Sequence, residues 1–215
     1  MIKITKGDKP DILDQKAAEW TAEVQAALDA GEELSKSLKS KYNHASVKAA
    51  IVTETHGKCA YCESKVRHVA PGDIEHIVPK SIEPALWFEW LNLTLACPVC
   101  NTNKSNHQGF VDPHDDEPSE HFWFAGTAIF PRPGSQKGTL TETVLKLNRS
   151  DLHDRRYDRL SSLERLLRIA SNEVDPALKA VLQQDLIMNE NKPEVEYAAM
   201  SRAFVANAQA QGLLP

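Results

Sequence analysis

The feature that most narrows what this chain can fold into is the placement of its cysteines, Cys59, Cys62, Cys97 and Cys100, as two Cys-x-x-Cys pairs with 34 residues between them. Thiolate pairs of this spacing grip one tetrahedral ion, and in a reducing compartment they read as a metal site before they read as disulfides. A structural Zn2+ on all four is the expectation; buried free cysteines and a redox dithiol are the competing readings. The intervening stretch is longer than the roughly 15 to 20 residues of a simple zinc ribbon, so it must carry structure of its own.

Inside that stretch, DIEHIVPKS reads as a short strand ending in a turn at Pro79. Its Glu75-His76 dipeptide joins a carboxylate that can hold a cation to a ring that can move a proton at neutral pH. Successive strand residues point to opposite faces, so both serve one site only where the strand end is distorted or the site wraps its edge. After Cys100, Asn101 begins what reads as a helix, and a strand pair followed by that helix would gather Glu75, His76 and Asn101 around one ion. Trp87, Trp90 and Leu91 read most simply as core, ahead of a base-stacking role.

The rest of the chain is mainly helical in pattern. Apolar positions at steps of three and four predict helices over 11–30 and 46–55, with a polar, Ser-rich connector carrying Lys36, Lys39 and Lys41 between them. Short β-prone pieces, 122–124, 128–130 and 139–144, suggest a small hairpin region, and 148–169, 176–188 and 193–211 read as helices, the first capped by Asn148 or Ser150. From Lys146 to Arg168 seven basic residues face four acids. Two readings stand for that run: a solvated helix laced with ion pairs, or a phosphate-contacting face.

Composition limits the partners. The formal net charge is -5 and the pI near 5.9, so bulk electrostatics will not hold a nucleic acid; a local patch, a metal or a partner protein must. No apolar run approaches the roughly 20 residues that span a bilayer, and the N-terminus lacks the apolar region of a secretory signal. No membrane role and a cytoplasmic location are therefore expected. The chain of 215 residues divides on this reading into a helical segment (1–56), a core between the cysteine pairs (57–115), and a hairpin with C-terminal helices (116–215). The fold class is α+β, mainly helical around a small strand-strand-helix core stapled by the four cysteines.

The segments GKCAYCE (57–63), IEHIVPKS (74–81), LNL (91–93) and ACPVCNTNKSN (96–106) together resemble the HNH endonuclease family. The resemblance implies a ββα-metal fold and a metal-dependent phosphodiester hydrolase. In it His76 is the general base, Glu75 a ligand of a catalytic Mg2+ or Mn2+, Asn92 the brace of the loop, and Asn101 the helix ligand. Glu75 stands where Asp is commoner, and Asn101 where His is; both keep an oxygen donor. Asn103, His107, Asp112 and His114 are reserve ligands. The wider chain, through FVDP (110–113) and LKLNRSDLHDRR (145–156), is similar to the HNH subunit of Septu-type and retron-associated anti-phage defence systems. That likeness implies an ABC-type ATPase partner and a nucleic acid substrate, DNA before RNA. The alternative is a non-catalytic zinc-stapled adaptor that binds nucleic acid or protein.

Overall fold

The fold follows from two short antiparallel hairpins, each stabilised by helices packed against it. The computed structural model describes residues 1–67 and 70–215. The elements are α1 (Asp11–Asp29), α2 (Lys36–Ser40), α3 (Ala45–Glu54), β1 (Asp73–His76), β2 (Leu93–Ala96), α4 (Pro98–Lys104), α5 (Pro118–His121), β3 (Phe122–Ala125), β4 (Ala128–Pro131), α6 (Gln136–Leu145), α7 (Ser150–Asn172), α8 (Pro176–Asn189) and α9 (Ala198–Ala210). They sort into two compact units, one of Lys3–Tyr61 with Lys65–Asp116, the other of Met1–Ile2, Cys62–Ser64 and Glu117–Pro215. The N-terminal helices thus share a unit with the stretch between the cysteine pairs.

In that unit α1 starts after Pro10, whose extended backbone suits a cap, and ends before Gly31, which takes the positive φ that closes the turn. Leu13, Trp20 and Val24 of α1 and Val47 and Ile51 of α3 are buried against Ile74, Leu93 and Leu95 of the β1–β2 hairpin. The register pairs Ile74 with Leu95 and His76 with Leu93, which puts these four on one face of the hairpin. Asp73 and Glu75, paired with Ala96 and Thr94, share the other face. There α4 begins at Pro98, with the Cys97 thiol accepting the Cys100 N–H at 3.4 Å.

Two expectations change here. The connector after residue 35 is not wholly irregular: the Ser35 hydroxyl caps α2 by accepting from the Leu38 N–H at 3.1 Å, and Leu38 is buried beneath it. Leu91 is not core but 63% exposed. It lies in the 3-10 turn Trp90–Asn92, where neighbouring side chains point about 120° apart, so burying Trp90 and Asn92 turns Leu91 outward.

In the second unit β3 and β4 pair Trp123 with Phe130 and Phe124 with Ile129. The β-prone run 139–144 is helix, inside α6. Ser135 caps it by accepting from the Gly138 N–H at 2.9 Å, and the Thr139 and Thr141 hydroxyls donate to carbonyls four residues back. Arg149, not Asn148 or Ser150, is the N-cap of α7. Asn148 instead ties α6 to β4, donating to the Ile129 carbonyl at 2.7 Å and accepting from the Ile129 N–H at 2.9 Å. Leu163 and Ala170 of α7, Leu186 of α8 and Val205 and Ala208 of α9 form the core.

Candidate active site

His76 closes β1, and its ring lies on the helical side of the hairpin. Its Nε2 stands 2.9 Å from the Trp87 carbonyl. A carbonyl only accepts, so Nε2 carries the proton and Nδ1 keeps its lone pair. The Tyr42 ring meets the imidazole edge-on, with centroids 4.7 Å apart at 83°. Burial, and next the charge of Lys80, hold the His76 pKa down to about 3, against a smaller upward pull from the Trp87 carbonyl. The ring is therefore neutral near pH 7, with the Nδ1 lone pair unprotonated.

Asn92 spans the loop that follows. Its Oδ1 accepts the Val78 N–H at 2.7 Å, while Nδ2 donates to the carbonyls of Val78 and Leu86, each at 3.0 Å. Its own carbonyl accepts the Ile77 N–H at 2.9 Å, extending the β1–β2 ladder by one bond. With Pro79 accepting from the Ile82 and Glu83 N–H groups at 2.9 and 3.1 Å, the turn carrying Lys80 is fixed from both sides.

The opposite face of β1 meets α4 through two polar contacts. Asn101 Nδ2 donates to Asp73 Oδ2 at 2.9 Å. Lys104 donates to Glu75 Oε1 at 2.7 Å and to the His76 carbonyl at 2.8 Å, and its side chain is wholly buried. Burial raises the Glu75 carboxyl above the ordinary range, and Lys104 draws it part of the way back. Glu75 and His76 point apart, as strand geometry requires, but both line a cleft of about 560 Å³ at the strand end with Tyr42, Lys80, Trp87 and Asn101. Glu75 and Asn101 bring to this cleft side-chain oxygens of the type that hard divalent cations take, with Glu75 already paired to Lys104.

Of the reserve ligands, His107 is exposed, with Nδ1 at 3.0 Å from the Lys104 carbonyl. Asp112 accepts the His114 N–H at 2.8 Å, and His114 Nε2 meets the Thr94 hydroxyl at 3.0 Å. Neither Asp112 nor His114 lines the cleft. Asp73, Lys104 and Tyr42 escaped the sequence reading. The alternation of Asp73 with Glu75 was the available sign for the first; nothing local marks the other two.

The Sγ atoms of Cys59, Cys62, Cys97 and Cys100 lie within 4.8 Å of one another, all buried. Four thiolates converging from two knuckles fit a structural Zn2+. The Ala60 N–H donates to the Leu95 carbonyl at 2.8 Å, joining the first knuckle to β2. Residues 59–107, which contain both cysteine pairs, the hairpin and α4, match the HNH endonuclease family.

The chain carries an HNH endonuclease domain. Over a longer stretch it is similar to the Septu protein PtuB of Bacillus mycoides (strain KBAB4), 28% identical over an alignment of 215 positions, gaps included, that takes in 74% of this chain and 73% of that protein. It is also 29% identical over 136 residues to the Septu protein PtuB of Bacillus thuringiensis, covering 59% of this chain and 52% of that one. Outside the HNH domain, the basic run ahead of and along α7 is divided: Arg156 is buried and donates to the Thr127 carbonyl at 3.1 Å, and Arg159 pairs with Glu190, whereas Arg155, Arg165 and Arg168 are exposed. Arg156 and Arg159 thus serve the fold, and the exposed arginines leave both readings of the run standing. No described helix is long and apolar enough to cross a membrane.

Proposed function

We propose that this HNH nuclease hydrolyses phosphodiester bonds of nucleic acid, DNA before RNA, with His76 as general base and Glu75 and Asn101 holding a catalytic Mg2+ or Mn2+. The observation that carries the reading is the His76 tautomer: Nε2 is committed to the Trp87 carbonyl at 2.9 Å, leaving Nδ1 to take a proton from water. Asn92 keeps the loop that supplies this carbonyl at a set distance from β1 through its bond to Leu86. Tyr42 packs against the ring edge and limits its rotation. A bound divalent ion supplies Lewis-acid stabilisation of charge on the phosphate and the departing oxygen. The zinc cysteines take no part in chemistry and hold the two ends of the site together.

The likeness to the Septu proteins supports a role as nuclease effector of a cytoplasmic anti-phage defence system. The acidic charge of the chain supports an ABC-type ATPase partner that helps to engage the substrate. The test is cleavage of supercoiled plasmid and of RNA with Mg2+ or Mn2+ by wild type and His76→Ala. Loss of a general base lowers the rate by about 10²- to 10⁴-fold, while zinc content and melting temperature stay at wild-type values. A variant that cleaves within about threefold of wild type removes His76 from the reaction; a wild type that cleaves neither substrate leaves the adaptor reading in its place.

A further inference from the structure

The cleft holds two lysines in opposite states. Lys104 is wholly buried and its charge is met by the Glu75 carboxylate at 2.7 Å. Lys80 lines the cleft, and among the described residues its ammonium meets aromatic groups in place of a carboxylate. Its Nζ is 3.3 Å from the Tyr42 hydroxyl, 4.6 Å from the Tyr42 ring centroid and 5.2 Å from that of Trp87. Tyr42 in turn packs on His76 and Trp87 carries the carbonyl that orients it, so the two rings that support the ammonium also define the position of the base.

We propose that Lys80, supported by Tyr42, receives a backbone phosphate of the DNA and sets the strand against His76; this rests on the nuclease reading above. Three physical points support it. A π face attracts a cation less strongly than a buried carboxylate would, so an entering phosphate takes over the ammonium without first breaking an ion pair. The side chain is already ordered, its turn fixed by Asn92 at Val78 and by Pro79 at Ile82 and Glu83, so little further freedom is lost on binding. And a chain of net charge -5 needs a local cation wherever it meets a phosphate backbone. Tyr42 lies in the turn Lys41–Asn43, outside the residues 59–107 that match the family. The N-terminal segment therefore supplies a positioning residue to the HNH cleft.

The test measures binding apart from cleavage. In the His76→Ala background, a short fluorescein-labelled DNA duplex is titrated with protein across a salt series and followed by anisotropy. Lys80→Gln should weaken binding about tenfold and reduce the slope of log affinity against log salt by about one, the signature of one lost phosphate contact. Lys80→Arg should stay within about threefold of its parent, as should Tyr42→Phe, which keeps the ring, whereas Tyr42→Ala should lose affinity. In the cleavage-competent protein, Tyr42→Ala should raise KM more than it lowers kcat. Should Lys80→Gln fold poorly, Lys80→Met keeps the aliphatic stem over the rings and carries the same expectation. Unchanged affinity and salt slope in the folded Lys80 variants overturn the proposal while leaving His76-dependent cleavage standing; a wild type that neither binds nor cuts nucleic acid overturns the nuclease reading and this assignment with it.

Discussion

Replacing Lys104 with Met probes the pairing that fixes the end of β1. The substitution keeps the volume of a wholly buried side chain but removes the donor to Glu75 Oε1 and to the His76 carbonyl. Breaking a buried pair from one side costs about 3 to 5 kcal/mol. The stranded carboxyl also has an escape, since it can bind a proton. From pH 7 to an ordinary Glu pKa of about 4.3, at about 1.4 kcal/mol per pH unit, that escape costs about 4 kcal/mol, which caps the charge penalty. At pH 5 the same sum gives about 1 kcal/mol. For a chain of this size each kcal/mol moves Tm by about 2 to 4 °C. Lys104→Met should therefore melt roughly 8 to 16 °C below wild type at pH 7 and only a few degrees below it at pH 5. Adding Glu75→Gln should recover at least half of the loss at pH 7. The assay is thermal melting by circular dichroism with bound zinc retained and no other divalent ion added. An equal drop in Tm at both pH values, or no recovery in the double variant, would refute the assignment of Glu75 as the ionised partner of Lys104.

Two further expectations concern the zinc cluster and the buried His114. Cys97→Ser removes a thiolate of the buried cluster while keeping a side-chain acceptor at the N-cap of α4; metal analysis should find zinc well below one per chain and melting should begin earlier, and full zinc occupancy with an unchanged Tm would count against the staple. Burial, followed by the Lys6 charge, holds the His114 pKa down to about 4, so the unfolded chain takes up the proton first and stability falls as pH drops from about 6.5 toward 4. Between pH 6.5 and 5 wild type should lose about 2 kcal/mol more than His114→Asn, read from urea unfolding at each pH; parallel losses would assign the acid sensitivity elsewhere.

The cysteine cluster and the β1–β2–α4 frame around it were legible because their signals are local. The cysteine spacing, the alternation in DIEH and the turn at Pro79 each constrain a few consecutive residues. The periodic helices followed for the same reason, with ends that moved by a residue or several. What stayed illegible depends on contacts between distant parts of the chain. Lys104 reads as an exposed helical residue until α4 is laid across β1, where its ammonium finds Glu75. Tyr42 sits in a short polar turn and becomes part of the cleft only when α1 and α3 pack beneath the hairpin. Thr139 and Thr141 favour a strand by type, but a Ser cap and backbone-directed hydroxyls make that segment helical. Leu91 was misplaced because a one-turn 3-10 element rotates side chains by an angle that neither the helical nor the strand period describes.

The shared core of α1, α3 and the β1–β2 hairpin bears on how this nuclease can be rearranged. Within the HNH segment Ile74, Leu93 and Leu95 share their core only with Trp87, Phe88 and Trp90; the rest of that core is Leu13, Trp20 and Val24 of α1, Leu34 and Leu38, and Val47 and Ile51 of α3. A transplant of residues 57–115 into another protein would carry the four cysteines and the Glu75-His76 dipeptide but lay the part of the greasy sheet face covered by α1 and α3 open to water and strip Tyr42 from the His76 ring. The portable piece is the longer one beginning at the first helix, and recombination that respects function should break the chain near residue 116 and not at residue 57.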